Sequence, residues 1–275
     1  MTFTLPPHSK SLAARGARNV GRLIRSKPPL FDRFSGCEGQ ISAAIPARHY
    51  ELAVIEHFWC ASYASLLRPL CDRLMLDMHN IESELARTHA MAAGGLAGWL
   101  SARFAGMYRR LEREWLPVFD TVLVTSADDR TRLRHPDLRV FPNAIPDVPR
   151  LAVREENVIA FSGNLEYHPN TEAVRWFARE VWPLIHVRLP EAEWRLIGRN
   201  PEAIREFIEH SPATNVAGPV EDAIAALAEA RVCVVPLLSG SGTRFKILEA
   251  WAAERAVVST TIVRRGSVRG TDNIC

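Results

Sequence analysis

The residues best suited to chemistry lie between Pro236 and Ala252, in the string P-L-L-S-G-S-G-T-R-F-K-I-L-E-A-W-A. Residues 231–235 before it read as a short buried strand, and from Thr243 the apolar positions Ile247, Leu248, Trp251 and Ala252 take helical spacing. Strand, glycine turn and helix start therefore follow one another. Gly240 and Gly242 permit backbone approaches that a Cβ would block, and the free N–H groups of a first helical turn attract an anion. Ser239, Ser241 and Thr243 add hydroxyls to the turn, and Arg244 and Lys246 add positive charge beside it. Glu249, three residues past Lys246, lies on a neighbouring part of the helix surface, where a carboxylate can accept hydrogen bonds from ribose hydroxyls. A phosphate is the guest this pattern suits. An ordinary strand-to-helix turn capped by serines competes with that reading, because glycine-rich turns alone are weak signals.

Two further groups of polar residues need weighing. Asp77-Met78-His79-Asn80-Ile81-Glu82 ends one strand and opens a helix, with Glu82 placed to complement the positive helix N-terminus. The spacing fits no dedicated metal motif, so no metal is expected, and His79 has a bland reading as a cap of the turn. Glu112 and Glu114, set among Arg109, Arg110 and Arg113, read as solvated ion pairs.

The 236–252 stretch resembles the donor-binding segment of glycosyltransferase family 4, the group 1 transferases with two Rossmann-like domains. The string carrying the likeness is Gly-Ser-Gly-Thr-Arg-Phe-Lys-Ile-Leu-Glu-Ala at 240–250. It is joined by Phe-Ser-Gly-Asn-Leu-Glu-Tyr-His-Pro-Asn at 161–170 and Gly-Pro-Val-Glu-Asp at 218–222. The likeness covers about the last half of the chain, with a weaker trace back to Tyr50. It implies a metal-independent transferase that needs no cofactor and moves a sugar, with retention, from a nucleoside-diphosphate sugar to a hydroxyl acceptor, glycan or lipid-linked, in polysaccharide or glycoconjugate synthesis. It also implies donor contacts from Gly163, Asn164, Ser239, Gly240, Ser241, Gly242, Thr243 and Glu249, and a sugar-facing histidine at His79. Glu249 matches the second of the family's two glutamates, and Ser241 stands about where the first would be. Many relatives hold the diphosphate with an arginine and a lysine in the first loop. Asn164 and His168 occupy that neighbourhood here, so Arg244 and Lys246 are expected to supply the charge.

These residues need a scaffold, and the order of elements supplies one. Strands are expected at 51–56, 74–78, 121–125 and 139–141, with helices at 62–70 and, broken at Gly94-Gly95, at 81–115. Ser126 caps a short helix. Beyond a proline-bearing linker at Pro142, Pro146 and Pro149, strands at 158–162, 193–197, 215–217, 232–235 and 256–259 alternate with helices at 171–187, 201–210, 221–230 and from Thr243. Strands alternating with helices mean parallel sheets, and ligands of such sheets sit at the carboxyl ends of the strands. The expected fold is α/β, two doubly wound Rossmann-like domains of the GT-B kind. They are an acceptor-side domain at 1–145 and a nucleotide-sugar-binding domain at 151–275, both truncated relative to the family. A non-catalytic nucleotide-sugar-binding fragment or inactive remnant, and an epimerase of the same fold, stay open as alternatives.

Composition bounds the rest. At 275 residues with 47% hydrophobic side chains the chain can bury a sizeable core in two domains. A net charge of +3 is too mild to argue for nucleic acid. Cysteines 37, 60, 71, 233 and 275 have no paired spacing, which suits free thiols in a reducing cytoplasm, with Cys233 as core filler. No apolar run approaches the roughly 20 residues of a membrane span. Residues 1–31 carry Lys10, Arg15, Arg18, Arg22, Arg25 and Lys27 without an acid, and Leu12, Gly16, Val20, Leu23 and Ile24 fall roughly along one helical face. That segment reads as a linking helix of the first domain or as a surface for peripheral contact at the inner face of a membrane.

Overall fold

A computed structural model of the chain describes residues 9, 11–145, 148, 153–239 and 245–261. The chain divides into two compact units, Met1–Pro142 and Asn143–Cys275. In the first, α1 (Leu12–Arg25), α2 (Pro29–Phe34) and α3 (Glu38–Ala44) precede the parallel strands β1 (Tyr50–Glu56) and β2 (Cys71–Met78), which are joined through the short helix α4 (Ala64–Leu67). The long helices α5 (Glu82–Ala93) and α6 (Gly95–Trp115) lead to β3 (Thr121–Val124), α7 (Ala127–Arg132) and β4 (Leu138–Val140). The four strands pair in chain order, β1-β2-β3-β4. Alternate residues of β2, namely Leu74, Leu76 and Met78, are buried with Phe58, Tyr108 and Val122 in one core. On the end strand β1, Leu52 and Val54 are about half exposed, at 47% and 49%.

Helix α1 is capped by Ser11, which accepts from the Ala14 N–H, and it is turned about its axis relative to the sequence reading. Arg22 points inward, 9% exposed, with Nε 3.0 Å from Asp32 Oδ2, whereas Val20 and Ile24 face out. The carboxylate on α2 captures the guanidinium, and a paired, buried arginine outweighs two apolar contacts. Glu112 also departs from its expected solvated state. It is 4% exposed, and its carboxylate accepts from the Ser83 N–H (2.9 Å) and Ser83 Oγ (2.6 Å). Burial pushes the Glu112 carboxyl up and carries that of Glu82 to about 8, with the Glu112 charge adding to the latter. Glu82 therefore does not serve as the anionic complement of the α5 N-terminus at neutral pH, because an unscreened second carboxylate is too costly in that interior.

The second unit runs β5 (Glu156–Ser162), α8 (His168–Trp176), a π-helical turn Phe177–Val181, α9 (Trp182–Arg188), β6 (Glu193–Ile197) and α10 (Arg205–Ile208). It continues with β7 (Thr214–Gly218), α11 (Ala223–Ala228), β8 (Ala230–Val235), α12 (Phe245–Ala252) and β9 (Ala256–Ser259). All pairs are parallel, and the spatial order is β7-β6-β5-β8-β9. The chain thus builds outward from β5 on one side and then reverses to the other. The side chains of Trp182, Trp194 and Leu196 fill one layer and those of Ala160, Ala228 and Cys233 the opposite one. Burial pushes the Cys233 thiol up to about 12, which leaves it an inert filler.

Candidate functional site

In an open parallel sheet the crevice for a ligand lies outside the carboxyl ends of the two strands between which the order reverses, because the crossover helices diverge there to opposite faces. In the second unit these strands are β5 and β8. The β5 end carries Ser162-Gly163-Asn164, and the β8 end carries Pro236 to Ser239. Gly163 N–H donates to the Ile197 carbonyl, and Gly198 N–H donates to that of Gly218, so three strand ends are tied side by side. A side chain is excluded from two of them. A Cβ on Gly163 (φ +144°) would lie 2.0 Å from Lys246 Nζ, and one on Gly198 (φ +154°) would lie 1.7 Å from the Gly163 carbonyl oxygen.

Helix α12 brings its first turn to the same place. Lys246 donates from Nζ to the Ser162 carbonyl at 2.5 Å and lies 5.0 Å from the centroid of the Phe161 ring. Glu249, one turn on, accepts from Ser162 Oγ at 3.4 Å. A cation and a carboxylate three residues apart on one helix therefore converge on the end of β5, as i, i+3 neighbours can. Asn164 extends the edge. Its side-chain oxygen accepts from Glu166 N–H (3.1 Å) and Asn200 Nδ2 (3.0 Å), and its backbone carbonyl accepts from buried Asn170 (2.6 Å). Ser239 is fully buried and donates to Glu172 of α8 at 3.1 Å, which braces the start of the turn. Gly240, Ser241, Gly242, Thr243 and Arg244 lie outside the described residues.

Ser162, Glu172 and Asn200 join this site without having been singled out from sequence. Ser162 falls inside the 161–170 string, where a polar residue ending a buried strand was the available signal. Glu172 and Asn200 meet their partners over 67 and 36 residues, a separation local pattern does not read.

In the first unit, His79 follows β2 and lies 3.9 Å, Nε2 to Oδ2, from Asp77. A residue missed by the sequence reading stands beside it. His57 follows β1, donates its N–H to the Asp77 carbonyl, and stacks on Trp59 with centroids 4.1 Å apart; its ring centroid lies 4.4 Å from that of His79. His57 holds φ at +67°, an uncommon conformation for a side chain of this size. Burial, then the neighbouring His79 charge, lowers the His57 pKa, while burial raises that of Asp77. Two imidazoles, an indole and a carboxylate thus share the carboxyl edge of β1 and β2, the edge at which parallel sheets present ligand-binding groups.

Comparison with known proteins bears on the fold and on the second unit. Residues 156–273 match the family model described as Glycosyl transferases group 1. Among solved structures the chain is similar to TarM, at a TM-score of 0.60 and 10% identity over 81% of this chain and 43% of that one. It is similar also to the pneumococcal O-GlcNAc transferase GtfA in complex with UDP and GlcNAc, at 0.57 and 14% over 83% of this chain and 46% of that one. A third is an α,α-trehalose-phosphate synthase (UDP-forming) from Burkholderia vietnamiensis, at 0.53 and 11% over 91% and 65% respectively. The chain spans less than half the length of the first two. No curated protein sequence matches it. At these identities the likeness speaks for fold. The chain has the mixed α/β architecture of parallel, Rossmann-like sheets found in GT-B glycosyltransferases, and its second unit carries the group 1 match.

Proposed function

We propose that this chain, with its group 1 glycosyl transferase segment at 156–273, transfers a sugar from a nucleoside-diphosphate sugar to a hydroxyl acceptor on a glycan or lipid-linked glycan. The observation carrying this reading is the convergence of Lys246 and Glu249 on Ser162, at the strand-order reversal between β5 and β8. A nucleoside diphosphate asks for that pair of features. The ammonium of Lys246 meets the diphosphate, with Arg244 and the 240–243 turn as its proposed companions, and the Glu249 carboxylate accepts from the ribose hydroxyls. The backbone at Gly163 and Asn164 lines the same edge and lets the donor approach closely.

In the reaction, the bond between the anomeric carbon and the diphosphate oxygen breaks with its electron pair going to the diphosphate. The acceptor oxygen bonds the same carbon on the same face, and its proton passes to the departing phosphate oxygen, which gives retention. Negative charge grows on the diphosphate as the bond breaks. Fixed donors already aimed at that position lower the barrier most, so Lys246 is assigned a share of the work that a metal would otherwise do. His79, at the carboxyl edge of β2, is assigned to the transferred sugar. The free thiols Cys37, Cys60, Cys71 and Cys233 suit action in a reducing cytoplasm, where nucleotide sugars are consumed.

The test is product analysis with radiolabelled nucleotide sugars, supported by thermal-shift measurement against a panel of nucleoside diphosphates. Transfer of label to an added glycan, with release of nucleoside diphosphate, is the expected result. Isomerised donor would identify an epimerase instead, and bound donor without turnover would reduce the role to nucleotide-sugar binding.

A further inference from the structure

Helices α5 and α6 make a hairpin whose far end lies outside the residues assigned above to sugar transfer. Ser83 bonds Glu112 and His89 Nδ1 lies 2.6 Å from Ser101 Oγ, so the two helices run antiparallel and meet at Gly94-Gly95, both at positive φ. They approach closely near that end, where a Cβ on Gly98 would lie 2.8 Å from the Ala90 carbonyl oxygen. Every residue from 91 to 97 is exposed. Met91 is 74% exposed, Leu96 75% and Trp99 53%, which makes a contiguous apolar tip of a kind that soluble surfaces seldom present without a partner.

The charges behind the tip are of one sign. Between Glu84 and Glu112 the chain carries Arg87, Arg103, Arg109 and Arg110 and no acid. Arg87 is bonded by Glu84, and Arg109 acts on the charges of Glu84 and Glu112. Arg103 and Arg110 have no acidic partner among the described residues and share the exposed face of α6 with Trp99. A second copy of this chain would bring arginines against arginines. An anionic surface offers charge complementarity.

We propose that the α5–α6 tip docks on an anionic phospholipid bilayer, with Met91, Leu96 and Trp99 entering the boundary between headgroups and acyl chains and Arg103 meeting the phosphates. The dimensions agree. At about 1.5 Å per residue, Leu96 lies roughly 10 Å along α6 from Arg103. That matches the roughly 5–10 Å to which interfacial helices bury their apolar face. Arg110, about 10 Å further back, still attracts the surface from about one Debye length away. Tryptophan at such a boundary keeps its ring in the apolar region and its N–H in the headgroups. The sequence alone pointed to residues 1–31 for this contact, but Arg22 there is spent on Asp32.

Flotation of the full chain with vesicles tests the assignment. Wild type should float with equimolar phosphatidylcholine and phosphatidylglycerol and not with phosphatidylcholine alone. L96S/W99S and R103E/R110E should each reduce the bound fraction by about tenfold or more, and R15E/R18E should not. The variants alter side chains that are exposed or, at Arg18, half-buried, so each should keep the wild-type melting curve and nucleoside diphosphate affinity, which separates this result from any failure of the transferase reading. The proposal is overturned if wild type floats with neither vesicle or equally with both. It is overturned also if binding is lost in R15E/R18E and kept in L96S/W99S.

Discussion

Lys246 and Glu249 are proposed to divide the nucleotide between them, and each division can be measured. Lys246→Ala should weaken nucleoside diphosphate binding by about 1.5–3 kcal/mol, the range for hydrogen bonds to charged groups, and barely change nucleoside binding. Calorimetric titration of both ligands decides it, since equal losses would move the lysine away from the diphosphate. Glu249→Gln keeps shape and one acceptor, so folding should be nearly unchanged while ribonucleotide affinity falls. A 2′,3′-dideoxy analogue should lose almost nothing on this substitution, and a loss as large as that of the ribonucleotide would sink the ribose role. Both residues were legible because they sit in one short string with the glycine turn. Their meeting point was not, because Ser162 lies 84 residues before Lys246 and 87 before Glu249. Glu112 failed for the same reason. Its arginine neighbours in sequence suggested a solvated helix face, and its actual partner Ser83 lies 29 residues away.

At the scale of elements, short apolar runs placed β5, β6 and β8 within two residues, the first two running straight into Gly163 and Gly198, since a buried parallel strand has few other ways to read. The helix expected at 171–187 was harder. It begins at His168 and is interrupted by the π-helical turn Phe177–Val181 before α9, which opens with Pro183 in its first turn. Proline has no N–H to return to the preceding turn, and the wider turn absorbs the missing bond. The α5–α6 pair carries the clearest consequence for pH. Glu82 titrates near 8 in the folded chain against an ordinary 4.5, so the folded state holds a proton that the unfolded state releases. Stability should therefore be highest below about 4.5 for this group, fall as pH rises towards 8, and level off above it. Urea titrations across that window should show Glu82→Gln losing this slope and exceeding wild type at pH 8 by an amount on the order of a few kcal/mol. A slope kept by the variant would assign the effect to another group.

On the scale of the whole molecule, the two units own separate cores. Phe58, Leu74, Tyr108 and Val122 belong to one, and Phe161, Trp182, Trp194 and Leu196 to another, with each sheet hydrogen-bonded only within its own unit among the described residues. Each unit also has its own handle: a buried glutamate that answers to pH in the first, and a strand-end crevice proposed to answer to nucleotide in the second. Chains with separate cores need not melt as one, so scanning calorimetry should resolve two transitions. A nucleoside diphosphate at about a hundred times its dissociation constant adds roughly 2.7 kcal/mol to whatever it binds, enough to raise one transition by about 10 °C and leave the other in place. Glu82→Gln at pH 8 should do the reverse, raising the transition that the nucleotide does not touch. Limited proteolysis along the scan identifies which half of the chain is lost in each. A single transition moved by both perturbations would mean that the two cores unfold as one cooperative unit.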